Sequence, residues 1–151
     1  MATLNVTISE EVNLYGSLIN KKHTYTIADV TKTKTEIKDV TPLIIGYDTI
    51  VSFNSDGTGL SFEDDPKYIR ITNLGTPATD EDVQLLLMKD QQAMSVKIGK
   101  GESFYMFNND MYAETWGATG AWSGSVTLDN ITEIRAGAGS AGGPIEIFMA
   151  I

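Results

Sequence analysis

The sequence predicts an all-β fold, a jelly-roll-like antiparallel β-sandwich with at most one or two short helical turns. Three observations lead there. Thr, Ile and Val supply 40 of the 151 residues, and side chains branched at Cβ suit a pleated, half-buried surface better than a helix. Apolar and polar residues alternate with a period of two in several separate runs, the spacing that turns one face of a strand inward. Clusters of Gly, Asn, Asp and Pro interrupt these runs about every ten residues, the rhythm of a sandwich or closed barrel.

Taken in chain order, Leu4, Val6 and Ile8 alternate with Asn5 and Thr7 to make a first strand. Lys21-Lys22-His23-Thr24-Tyr25-Thr26 opens another. The strand expected over 47–53 runs into Asn54-Ser55-Asp56-Gly57-Thr58-Gly59. Its Asp-Gly pair tolerates positive φ, so a hairpin into Leu60-Ser61-Phe62 is predicted. Tyr68, Arg70 and Thr72 alternate with Ile69 and Ile71, and Leu74-Gly75-Thr76-Pro77 closes that run before an acidic loop, Asp80-Glu81-Asp82. Residues 83–89 and 94–98 flank the turn Asp90-Gln91-Gln92, and Gly99-Lys100-Gly101 leads into 103–107.

The two helical turns are placed at 27–31 and at 125–131, where Leu128 and Ile131 are spaced by three. Ala136-Gly137-Ala138-Gly139-Ser140-Ala141-Gly142-Gly143 reads as a loop, either flexible or closely approached by another segment. Ile145, Ile147 and Met149 then alternate with Glu146 and Phe148 in a last strand over 144–151, expected to close the domain. With no fixed-period repeat and no long linker, residues 1–151 are expected to form a single β-sandwich domain. Residues 1–40 stand out as an arm or strand that engages a neighbouring subunit.

Composition narrows the chemistry. Hydrophobic residues make up 42% of the chain and charged residues 21%, enough for a sizeable core. Lys plus Arg is 11 against 20 Asp plus Glu, a formal charge of −9. Sequence-independent nucleic-acid binding needs the opposite balance, so no nucleic acid is expected as a partner. The absence of Cys removes disulfides, thiolate nucleophiles and Cys-ligated metals. The longest apolar runs, Leu43-Ile44-Ile45 and the Gln84-interrupted 83–88, fall far short of the roughly 20 residues that span a bilayer. The start Met1-Ala2-Thr3-Leu4-Asn5-Val6 has no basic stretch followed by an apolar one, so neither a membrane nor a secretory leader is expected.

No catalytic, cofactor or metal site is expected either. His23 is the one histidine, and without a Gly-x-Ser-x-Gly elbow it has no serine to activate. Twenty carboxylates form pairs by chance, which carries no specificity for glycoside hydrolysis. Asn54, Asp56, Thr58 and Asp65 partly match a calcium loop, with Gly59 in the sixth place. The last ligand is Asp where Glu is usual, and strands flank the loop where helices should stand, so a hairpin is the plainer reading.

Two surfaces qualify as interfaces. Tyr105, Phe107, Tyr112, Trp116 and Trp122 crowd a short Gly- and Ala-rich segment, where flat aromatic faces anchor a protein interface, stack on sugars, or cap the open end of the sandwich. Lys21, Lys22, Lys32, Lys34 and Lys38 gather 5 of the 11 basic residues. A solvated strand explains them, and docking on an acidic partner is the sharper alternative.

The order Tyr68-Ile69-Arg70-Ile71-Thr72-Asn73, Val96-Lys97-Ile98-Gly99-Lys100-Gly101-Glu102-Ser103-Phe104, Ile131-Thr132-Glu133-Ile134-Arg135-Ala136 and Ile145-Glu146-Ile147-Phe148-Met149-Ala150 resembles small virion structural proteins of tailed bacteriophages, marine phages and cyanophages in particular. The likeness covers about the last 85 residues; the first 60 or so match only in being strand-rich. The resemblance implies a capsid decoration, or cement, protein. It would be made in the host cytoplasm, sit on the outer capsid as a homo-trimer, and clamp the major capsid protein without cofactor or active site. The alternative of another class is a glycan- or receptor-binding module of a phage tail or fibre, using Trp116 and Trp122.

Overall fold

The computed structural model describes residues 2–53, 60–61, 66–75, 82–89, 92–107, 112–114 and 128–151, and these contain strands, turns and bends but no helix. A first hairpin, β1 (Ala2–Leu14) and β2 (Ser17–Val30), precedes β3 (Thr33–Val40), β4 (Asp48–Ser52), β5 (Leu60–Ser61), β6 (Tyr68–Asn73) and β7 (Val83–Lys89). Then come β8 (Gln92–Ile98), β9 (Ser103–Met106), β10 (Tyr112–Glu114), β11 (Leu128–Asn130), β12 (Glu133–Ala138) and β13 (Gly143–Ala150).

Two sheets form the body, in the orders β3-β13-β6-β9 and β5-β4-β12-β7-β8. Setting β5 and the small β10-β11 pair aside, eight strands are dealt between the sheets. The first, eighth, third and sixth make one, and the second, seventh, fourth and fifth make the other. That is the order of a jelly roll, in which nearly every connection crosses from sheet to sheet.

The alternation read from sequence becomes the core. Ile69 and Ile71 of β6 and Ile145, Ile147 and Met149 of β13 meet Val83, Leu85 and Leu87 of β7 and Ile134 and Ala136 of β12, all fully buried. Each large aliphatic side chain so buried contributes about 1.5–3 kcal/mol.

Edge strand β3 reverses the pattern. Lys34, Glu36 and Lys38 stand opposite Met149, Ile147 and Ile145 in register and so share their core-facing side, while Ile37 points outward and is 68% exposed. Lys38 Nζ donates to the Thr49 carbonyl at 3.1 Å. Inward charges on an edge strand discourage addition of a further strand.

Hydrogen bonds between connections define the two ends of the sandwich. At one end Leu43 N–H donates to the Ala138 and Gly139 carbonyls (3.0 Å each), Asn73 N–H to Glu102 (3.0 Å) and Gly139 N–H to Asp82 (3.3 Å). At the other Thr31 N–H donates to Ile151 (2.6 Å), Phe53 N–H to Thr132 (2.9 Å) and Thr132 N–H to Met88 (2.8 Å).

Three expectations are corrected. β4 and β5 pair in parallel, through Val51 with Leu60 and Ser52 with Ser61, so the chain returns there and does not reverse as a hairpin would. Gly and Asp mark a change of direction without fixing its sense, and residues 54–59 lie outside the described ones. Residues 27–30 complete β2, so no helical turn stands there, and 128–130, the described part of the second expected turn before Ile131, are β11; cross-strand pairing outweighs a weak local i, i+3 signal. Ala136-Gly137-Ala138 belongs to β12, where small side chains admit the connection lying on them.

Candidate interaction surfaces

The hairpin of β1 and β2 is an arm. Leu14 pairs with Ser17 across Tyr15 and Gly16, whose φ values of 53° and 85° are those of a type I′ turn. At about 3.4 Å per residue, its 13-residue first strand is about 45 Å long. Register sorts the side chains into two faces. One carries Leu4 with Ile27, Val6 with Tyr25, Ile8 with His23, Glu10 with Lys21 and Val12 with Ile19. The other is polar: Thr26 donates to Asn5 at 3.1 Å, the Thr7 and Thr24 hydroxyls are 3.2 Å apart, and Asn20 donates to Glu11 at 3.4 Å.

The base of the arm lies on the outer face of the four-stranded sheet. Leu4, Val6 and Ile27 pack on Tyr68, Val30 and Phe148, and the Tyr25 ring is 4.5 Å from that of Phe107. A bulge between the Ala2 and Leu4 pairings sets its direction, with Asp29 at φ 58°. Lys67 Nζ clasps this bulge by donating to the carbonyls of Ala28 (3.2 Å) and Asp29 (2.6 Å). Burial raises the Tyr68 hydroxyl above its ordinary pKa.

Beyond Ser9 the described side chains of the arm are exposed on both faces. Val12 is 48% exposed, Leu18 60% and Tyr15 fully. Beneath the base runs a groove of about 490 Å³, lined by the Leu4–Ser9 edge of β1 with Tyr68, Arg70, Tyr105 and Phe148. Arg70 donates from Nη2 to Glu146 at 2.9 Å and sits 5.6 Å from the centre of the Phe148 ring. Its Nε is buried with no acceptor among the described residues.

The second surface is the connection from β3 to β4. Ile44 and Ile45 are 88% and 74% exposed, yet the loop that carries them is fastened down. Besides the Leu43 bonds, Ile45 N–H donates to Pro42 at 2.8 Å and Ala138 N–H donates to Thr41 at 3.1 Å. Asp48 accepts from both the backbone N–H (2.6 Å) and the hydroxyl of Thr41. The Thr41 hydroxyl, above all, holds the Asp48 carboxyl below its ordinary pKa.

No known protein family, curated protein or solved structure matches the chain.

The structure divides the residues singled out from sequence. Lys21 and Lys22 lie on the exposed arm, Lys32 in the link to the body, and Lys34 and Lys38 on the core-facing side of β3, so the five lysines form no single patch. His23 stands opposite Ile8 on the exposed arm. Tyr105 is half exposed beside the groove, and Tyr112 falls in β10. Trp116 and Trp122, and the calcium-loop candidates Asn54, Asp56, Thr58 and Asp65, lie outside the described residues. Among the described residues no group of three His, Asp or Glu side chains could hold a metal, and no helix could cross a membrane. Sequence reasoning missed Ile44 and Ile45 as surface residues; their signal was an apolar run lying between turn residues, Pro42 and Gly46.

Proposed function

We propose that this chain is a structural protein of a tailed-phage virion: a decoration protein on the outer capsid that self-associates, as a trimer, and holds the major capsid protein. One observation carries the reading. Two adjacent isoleucines stand almost wholly in water on a loop fastened by hydrogen bonds to β12, at the end of the sandwich away from the base of the arm. A rigid apolar projection costs solvation while it is empty and repays it against a partner surface. The jelly roll and the likeness of residues 67–104 and 131–150 to phage virion proteins support the same reading.

Two measurements test it. Quantitative mass spectrometry of purified virions should find copies in number comparable to the major capsid protein. The isolated protein should co-sediment with expanded capsids, and an Ile44→Ser/Ile45→Ser variant with unchanged melting should not. A copy number near that of tail or collar components, or undiminished capsid binding by the variant, overturns the reading.

A further inference from the structure

We infer that the groove under the arm is a receptor for the distal arm of a second copy of this chain. The inference deepens the self-association in the proposed function, though it rests on no contact with a capsid. The arm's apolar face is crossed once by the Glu10–Lys21 pair, and among the described residues only its proximal half has a surface beneath it. Leu4, Val6 and Ile27 cover Tyr68 and Phe148 of their own body, whereas Val12 and Ile19 continue the same face into water. The groove presents, beside that covered patch, more of the same aromatic surface with Tyr105 still 43% exposed.

Charge fixes the match. On the arm's apolar face the residue between Ile8 and Val12 is Glu10. In the groove wall the matching charge is Arg70, whose guanidinium donates to Glu146 from Nη2 while its Nε lacks an acceptor among the described residues. The Arg70 side chain is 35% exposed, so an arriving carboxylate can reach its guanidinium. An apolar hairpin face crossed by the Glu10–Lys21 pair thus meets an aromatic groove whose wall carries Arg70 bonded to Glu146, so that carboxylate can meet guanidinium and ammonium can meet carboxylate. The Leu4–Ser9 edge of β1, which also lines the groove, offers backbone groups to the incoming strand. Each copy gives an arm and receives one, so the contact is heterologous in kind and can close into a ring.

The test is complementation between two defects, followed by sedimentation velocity without capsids. An arm variant, Val12→Asp/Ile19→Asp, and a groove variant, Tyr105→Asp, are each expected to raise the dissociation constant about a hundredfold and to run as monomers, as loss of buried anchor contacts would. Both substitutions are at exposed positions, and unchanged melting temperatures show that the sandwich is intact. Mixed together, the two variants should form a heterodimer, because one still has a sound arm and the other a sound groove. Wild-type protein that stays monomeric at tens of micromolar, a groove variant that still self-associates, or a mixture that stays monomeric would each overturn the inference. Loss of capsid binding by the Ile44/Ile45 variant with self-association intact separates failure of one proposal from failure of the other.

Discussion

Replacing Gly137 by Ala tests how firmly the isoleucine-bearing loop is seated. A Cβ added at Gly137 would lie 2.7 Å from Leu43 Cδ2, 2.9 Å from the Gly46 carbonyl oxygen and 3.3 Å from Tyr47 Cδ1. Ordinary carbon contacts are about 3.5–4.0 Å, so the loop must retreat by around half an ångström or more. Leu43 can yield by rotating, but the Gly46 oxygen is backbone and moves only with the loop. Retreat strains the bonds from Leu43 N–H to Ala138 and Gly139 and from Ala138 N–H to Thr41. Overpacking costs about 1–3 kcal/mol and a weakened hydrogen bond about 1, offset by about 0.5–1 for replacing Gly by Ala within a strand. The net loss is about 1–3 kcal/mol, and at about 3 °C per kcal/mol for a domain of this size the melting temperature falls by about 3–9 °C. Gly143→Ala is the control, because its Cβ would meet only Ala138 Cβ at an ordinary 3.6 Å. It should melt within about 2 °C of wild type, or slightly above. Calorimetry of the three proteins decides. If the two Ala variants melt alike, the loop does not rest on β12, and the rigidity argued for Ile44 and Ile45 goes with it.

Asn73→Leu should lower stability by about 2–4 kcal/mol in denaturant melts, because Asn73 is 1% exposed and bonds the Ile98 carbonyl and Gly75 N–H; removing it leaves both groups short of partners. The depressed carboxyl of Asp48 contributes stability above its unfolded pKa of about 3.8, and this is lost as pH falls through the lower folded value. Thr41→Val should therefore flatten the acid limb of the stability–pH curve below pH of about 4 and change its shape little at neutrality. Lys67→Met should leave the sandwich melting temperature within about 2 °C while speeding amide exchange at 28–30, since the ammonium clasps only the bulge; unaltered exchange would show that the clasp does not hold the arm.

What could be read from the residues follows from how local each signal is. The period of two in Tyr68–Asn73 and in the 145–149 run marks strands and their buried faces, because alternation belongs to one strand alone. The β7–β8 reversal between Lys89 and Gln92 is equally local. By contrast, nothing in Thr33–Val40 tells that its hydrogen-bonded neighbour in the body is β13, since pairing over such a distance is a property of the whole chain. The arm was half visible: both its strands have the right pattern, but Tyr15-Gly16 lacks the Asn-Gly or Asp-Gly signature that would join them. Ala136-Gly137-Ala138 resembles a loop because its small residues answer to Leu43 and Gly46, contacts that only the fold supplies. An apolar run such as Leu43-Ile44-Ile45 looks the same whether it is buried or displayed, which is why this surface was not legible.

The position of β13 has a kinetic consequence. This strand lies between β3 and β6, and among the described residues β3 has no other hydrogen-bonded strand neighbour. Their register joins residues roughly a hundred positions apart, so the loop-closure entropy falls due late, and folding should be slow for a domain of this size. Until β13 inserts, β3 and β6 each present a bare row of backbone donors and acceptors toward the gap it will fill. The inward charges of Lys34, Glu36 and Lys38 then guard a strand that has yet to find its place, holding off pairing with another chain while the molecule waits. A chain interrupted before Gly143 should accumulate as aggregate and not as a smaller sandwich.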